Sequence, residues 1–171
     1  MGICVTPLDA PLGAAVSGVD LSRPLTDNTR AAIFQAWHAH IVLVFPDQAL
    51  AGPAQLAFAR NFGPIKERGR PKERRPEKDI NDYESQVMFI SNVKENGKPI
   101  GSLPDGEMWF HHDGCYKERP QRASFLYAIE LPSTGGNTKF ANMYKAYEAV
   151  PKALNLLLAD KTALHVYDYD L

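Results

Sequence analysis

Cysteine is scarce, neither sign of charge is in surplus, and long apolar runs are missing; each shortage removes a class of protein. With Cys4 and Cys115 as the only cysteines, no disulfide framework and no cysteine zinc knuckle can be built, and buried free thiols are the expectation. Lys and Arg number 19 against 20 Asp and Glu, a net charge of -1. No overall field therefore draws the chain to nucleic acid or to an anionic membrane. No apolar run approaches the roughly 20 residues of a bilayer helix, and the N-terminus shows no basic segment followed by an apolar one. A cytoplasmic protein is expected, with neither nucleic acid nor membrane as partner. What is present is ordinary globular material: 171 residues, 44% hydrophobic and 23% charged. That is enough apolar matter for one sizeable core and a single domain over residues 1–171. Assembly into homo-oligomers is left open.

Along the chain, Ile3 to Pro7 and Ala15 to Val19 are β-prone pieces around "APLGA" and predict an entry hairpin. Thr26 is placed to cap a helix with Asp27 at its positive end, and Ile33, Phe34, Trp37 and Ile41 recur at helical spacing. "IVLVF", Ile41 to Phe45, predicts a central strand covered on both faces and stopped by Pro46-Asp47. A second helix is bracketed by Pro53 and Gly63-Pro64, with Leu56, Ala59 and Phe62 inward. "KERGRPKERRPEKD", residues 66–79, holds seven basic and four acidic residues and no apolar side chain. It predicts an exposed charged loop, with a lid that attracts an anionic substrate as the sharper alternative. Beyond it, "VMFIS" (Val87 to Ser91), a turn at Gly97 to Pro99, and "ASFLYAIEL" (Ala123 to Leu131) predict short strands. A helical pair follows over Tyr144 to Val150 and Pro151 to Ala159, and "TALHVYDY" predicts another strand. Short strands with flanking helices make a mainly β sandwich or barrel, but the strands are fewer than such a fold needs, so a missing remainder is expected.

The chemistry is concentrated in "MWFHHDGCY", Met108 to Tyr116. On a strand, His111 and Asp113 would share one side while His112 points to the other. Imidazole nitrogen with carboxylate oxygen is two thirds of the donor set that holds non-haem Fe(II) while leaving positions open. The plain alternative is polar residues pairing at the rim of a core. The flanking aromatics Trp109, Phe110 and Tyr116 read as core or pocket wall, where they would keep water away. Cys115 has no oriented base to make it a nucleophile. His38 and His40 complement the end of the first helix. Farther on, Gly135-Gly136 lets backbone come close to a ligand and Thr138 offers a hydroxyl.

Four separated pieces together resemble one family: "VTPLDAPLGAAVSGVDLSRPLTDN", "LVFPDQAL" followed by "FARNFGPI", "WFHHD", and "ELPSTGGNTKFANMYKAYEAVP". They are similar, in order, to the taurine dioxygenase and 2,4-dichlorophenoxyacetate dioxygenase family of Fe(II)- and 2-oxoglutarate-dependent oxygenases. The resemblance implies a double-stranded β-helix, or jelly roll, with helices packed outside, here incomplete because C-terminal strands are missing. It also implies that His111 and Asp113 ligate iron and that Thr138 hydrogen-bonds a carboxylate of 2-oxoglutarate. The implied reaction consumes O2 and 2-oxoglutarate, releases succinate and CO2, and hydroxylates a small substrate.

The chain departs from the family pattern in two places. The distal histidine ligand and the arginine that holds the far carboxylate of 2-oxoglutarate belong to a segment absent here. His165 sits in "ALHVYDY" like a non-ligand, and neither Arg119 nor Arg122 stands at the anchor position. The chain alone is thus expected to be inactive, since a ligand and a bidentate contact are lost. The second departure is the charged segment 66–79 with "LPDGEM", where taurine enzymes grip the sulfonate. Taurine is not supported, and a small anionic molecule suits the basic loop better. The rival expectation is a non-catalytic jelly-roll fragment or binding module. A zinc hydrolase lacks a further His or Glu and a base.

Overall fold

The computed structural model describes residues 2–66, 86–101 and 108–166; the charged loop expected over 66–79 lies, after Lys66, outside them. Two four-residue strands open the chain, β1 (Cys4–Pro7) and β2 (Ala14–Ser17), paired antiparallel with Val5 opposite Val16. The period of two decides which residues are inside. Ala14 and Val16 are fully buried, whereas Cys4 is exposed. The expectation of a buried thiol fails there because β1 is an edge strand and Cys4 takes its outward face.

Helix α1 (Asp27–His40) follows as the sequence predicts. Thr26 Oγ1 accepts the N–H of Thr29 at 3.2 Å, and Asp27 pairs with Arg30 at 2.8 Å, so one orphan donor of the first turn is satisfied locally. Ile33 and Ala36 are buried. At the C-terminus Ile41 adopts φ 70° and donates to the Trp37 carbonyl at 2.7 Å. A β-branched residue held left-handed cannot begin a strand. The five-residue strand expected over Ile41 to Phe45 therefore shrinks to β3 (Leu43–Val44), parallel to β2 in the order β1-β2-β3. It is not a doubly covered central strand, since Val44 is 46% exposed. The β2-α1-β3 crossover is further tied by hydrogen bonds from Gly13 N–H to the His40 carbonyl at 2.8 Å and from Ala14 N–H to the Val42 carbonyl at 3.0 Å.

Helix α2 (Gly52–Arg60) has Pro53 in its first turn, where a missing N–H costs nothing. It buries Phe58 and Ala59; the expected inward set contained Ala59 but not Phe58. Leu21, Ile33 and Phe58 form the core, with Ile3, Val19, Leu25, Leu43, Phe45, Leu50 and Phe62 packed around them. Phe58 meets Phe45 and Phe62 edge-on, with ring centres 5.6 and 5.2 Å apart. Gln48 fastens the loops beside this core. Its Oε1 accepts from Leu21 N–H at 2.9 Å, and its Nε2 donates to the carbonyls of Val19 at 3.2 Å and Pro46 at 3.0 Å.

Among the described residues the remaining elements are small: a hairpin of β4 (Lys94–Glu95) and β5 (Lys98–Pro99), then α3 (Met143–Glu148) and α4 (Lys152–Leu158). The hairpin turns at Asn96-Gly97, both with positive φ, one residue before the turn expected from Gly97 to Pro99. The helical pair is present, α3 capped by Asn142, whose side chain accepts from Lys145 N–H at 3.1 Å and donates to the Pro11 carbonyl at 2.8 Å. Neither 87–91 nor 123–131 is a strand, and 161–166 is irregular. β-prone residues form a ladder only beside a second edge, and segment 123–131 instead docks by its side chains. The described residues thus hold a three-stranded sheet, a two-stranded hairpin and four helices, fewer strands than a whole jelly roll has.

Among the described residues Leu126, Ile129, Leu131, Met143, Tyr144, Leu156 and Leu164 are each more than 60% exposed. No described helix is long and apolar enough to cross a membrane.

Candidate functional site

His111 and Asp113 do meet, but not by the alternation of a strand. Asp113 opens a tight turn, closed by hydrogen bonds from Cys115 N–H to the His112 carbonyl at 3.2 Å and from Lys117 N–H to the Gly114 carbonyl at 2.9 Å. Gly114 is buried with φ 67°, and a β-carbon there would run into Gln121 Oε1. Only glycine fits this turn without strain. The turn swings the Asp113 carboxylate back toward the preceding imidazole, placing Oδ1 3.2 Å from His111 Nε2.

The other nitrogen of the ring determines what that approach means. His111 Nδ1 lies 2.8 Å from the Trp109 carbonyl. A carbonyl only accepts, so Nδ1 carries the hydrogen, and a neutral ring presents its Nε2 lone pair to the carboxylate. Two lone pairs repel unless a proton or a metal cation lies with them. Fixing one ring nitrogen on a backbone carbonyl while the other is offered to a metal is the usual arrangement for a ligating histidine. The second carboxylate oxygen is also engaged: Ser124 Oγ donates to Asp113 Oδ2 at 2.8 Å. Side chains of His111 and Asp113 are 49% and 51% exposed, open enough for an ion or small molecule to reach them.

Several other expectations change here. Trp109 and Phe110 are 92% and 70% exposed, so they do not wall off a dry pocket, because none of the described residues packs over them. Cys115 is half-buried, and Tyr116 lies beneath the Lys117 ammonium at 5.5 Å. His112 is exposed. Arg122 is occupied elsewhere, its guanidinium 5.2 Å from the Phe34 ring centre and 5.9 Å from that of Trp37. Arg119 offers its carbonyl to Lys66 Nζ at 3.2 Å.

Thr138 is exposed and follows Gly135 and Gly136, at φ 74° and 66°. Among the described residues no hydrogen bond joins it to His111 or Asp113. Nor does a third His, Cys, Asp or Glu gather with that pair among them, and His165 lies in the exposed segment after α4. The pair has donors suited to Fe(II) and fits as part of such a site. Sequence reasoning missed Ser124, although a small polar residue inside the apolar run "ASFLYAIEL" was a signal that one position faced a polar partner. It also missed Tyr127, whose hydroxyl accepts from Leu50 N–H at 3.0 Å and donates to the Gln48 carbonyl at 3.3 Å.

Comparison with known proteins now adds its weight. Residues 5–171 match the family described as "Taurine catabolism dioxygenase TauD, TfdA family". The chain is 33% identical to (S)-phenoxypropionate/alpha-ketoglutarate-dioxygenase of Delftia acidovorans, over 96% of this chain and 55% of that protein. It is 36% identical to pentalenolactone F synthase of Streptomyces avermitilis, over 90% of this chain and 49% of that protein. The solved structure of a Burkholderia xenovorans protein, provisionally described as an alpha-ketoglutarate-dependent 2,4-D dioxygenase, is 28% identical over 92% of this chain and 50% of its own, with a TM-score of 0.66. The chain spans about half the length of these relatives. With its sequence pieces in family order and nearly its whole length matched, this chain belongs to the TauD/TfdA dioxygenase family.

Proposed function

We propose that this chain carries the iron-binding edge of an Fe(II)- and 2-oxoglutarate-dependent dioxygenase that hydroxylates a small, carboxylate-bearing substrate and releases succinate and CO2. The observation that carries the reading is His111 Nε2 and Asp113 Oδ1 3.2 Å apart, with Nδ1 already committed to the Trp109 carbonyl. In this reading the two side chains hold Fe(II), which when bound would take 2-oxoglutarate and O2 at its remaining positions and supply the oxidising chemistry. The chain's own residues have simpler duties. His111 offers one nitrogen in a fixed tautomer, Asp113 offers negative charge that favours a cation, and Thr138 donates its hydroxyl to a carboxylate of 2-oxoglutarate. Relatives are named for phenoxypropionate and 2,4-dichlorophenoxyacetate, which favours a carboxylate-bearing aryl ether over taurine.

The exposed rows Leu126, Ile129, Leu131 and Leu156, Leu157, Leu158 fit a reading in which further polypeptide completes the family's jelly roll. That polypeptide would bring the third ligand and the arginine for 2-oxoglutarate.

The test is spectroscopic. Anaerobic Fe(II) with 2-oxoglutarate should give no visible charge-transfer band in the 171-residue chain and a band in a version extended to family length. Phenoxypropionate added with O2 should then release succinate from the extended protein. Loss of neither signal in His111→Ala and Asp113→Ala would sink the assignment. A band in the short chain that vanishes with His165→Ala would make that histidine the third ligand. An extended protein that lacks the band would favour a binding module instead.

A further inference from the structure

Ser124 lies between Arg122, on the rings of Phe34 and Trp37, and Phe125 and Tyr127, which attach to the N-terminal layer as well. The Phe125 ring centre is 5.9 Å from those of both Phe58 and Phe62, and the Tyr127 hydroxyl is bonded to Leu50 and Gln48. Ser124 Oγ reaches Asp113 Oδ2 at 2.8 Å.

We propose that Ser124 is a positioning residue of the metal site: its hydroxyl ties down Asp113 Oδ2, so that Oδ1 alone is presented beside His111 Nε2. The inference rests on His111 and Asp113 being metal ligands. A carboxylate turns easily about its last bond, and Asp113 is 51% exposed, so burial does not fix its orientation. A hydroxyl donating to an ionised oxygen makes one of the stronger neutral-to-charged hydrogen bonds. It restrains the rotation and occupies the oxygen that would otherwise turn a one-oxygen ligand into a two-oxygen one. A metal held by one oxygen keeps one more position for an incoming chelator. The restraint is also referenced to the core, since Tyr127 rests on the Gln48 carbonyl and the Gln48 side chain on Val19, Leu21 and Pro46.

Anaerobic titration of the protein extended to family length with Co(II), read by its d–d absorption, tests this without any turnover. Ser124→Ala should raise the Co(II) Kd about tenfold, while Ser124→Thr, which keeps the hydroxyl, stays within about twofold of the parent. The d–d band of the alanine variant should also change shape as Oδ2 is freed. Should Ser124→Ala lower Tm, Ser124→Val, close in shape to the tolerated threonine but without its hydroxyl, should still weaken binding. Parent-like Co(II) affinity in both Ser124→Ala and Ser124→Val, with binding abolished by His111→Ala or Asp113→Ala, overturns the role of Ser124 and leaves the ligand pair standing. Saturable binding that survives His111→Ala and Asp113→Ala, or no binding by the parent, overturns the ligand reading and this inference with it.

Discussion

Between Ile3 and Phe62 the apolar side chains find one another, whereas between Met108 and Val166 most of them face outward. In the first region Val16, Leu21, Ile33 and Phe58 are sealed behind a hairpin, a crossover helix and α2. In the second, α3 and α4 have no buried residue, and order comes from a few attachments: Arg122 on Phe34 and Trp37, Phe125 on Phe58 and Phe62, Tyr127 on Gln48 and Leu50, Asn142 on Pro11. Local pattern suffices to close a small layered unit. The ligand-bearing region borrows its position from that unit.

The largest effect should come from the sealed side. Phe58→Ala removes a ring shared by Phe45, Phe62 and Phe125, and should cost about 3–5 kcal/mol, seen as a large fall in the urea midpoint and loss of near-ultraviolet dichroism. An effect below about 1 kcal/mol would mean that the N-terminal core is not what holds the molecule. Gly114→Ala comes next. The left-handed turn and the Gln121 side chain above it predict a cost of about 1–2 kcal/mol, together with weaker Co(II) binding, since the same turn aims Asp113. Tyr127→Phe deletes both hydroxyl bonds across the two regions and should cost about 1 kcal/mol. Hydrogen exchange should rise at Leu50 and in 123–127 more than in α1.

Leu131→Ser, by contrast, should shift stability by no more than about 0.5 kcal/mol, because Leu131 is 75% exposed. A large loss would show that this leucine is covered in solution, and the contrast between the regions would fail. The smallest effect belongs to Asp20. Its hydrogen bonds from the Ser22 hydroxyl and N–H, aided by Arg23, hold its carboxyl below the ordinary 3.8. A depressed carboxyl stabilises the fold above its unfolded value and loses that contribution as pH falls through the folded one. Asp20→Asn should therefore lower neutral Tm slightly, with the gap to the parent closing as pH falls below 3.8.

The same contrast explains what the sequence made legible. The hairpin, α1 with its Thr26 cap and α2 with Pro53 could be read because their signals are local: alternation, capping, a proline at a helix start. β3 is shorter than the sequence suggests because five apolar β-formers look like a strand, and nothing in their order tells that Ile41 is spent in ending the helix. "ASFLYAIEL" looks like a strand and is not one for the complementary reason, since ladder formation is decided by a neighbouring edge that local sequence does not encode. His111 and Asp113 were legible as a pair, but for the wrong geometry: a glycine turn, not strand alternation, brings them together. Ser124 and Tyr127 act across 11 and 77 positions, distances over which residue spacing is mute.

One consequence follows from His111 leaning on the main-chain carbonyl of Trp109. A peptide oxygen is the same whatever amino acid bears it, so the indole, 92% exposed, can be exchanged without disturbing the imidazole. Anchoring is written in the backbone, so the side chain at position 109 can change while the histidine stays put.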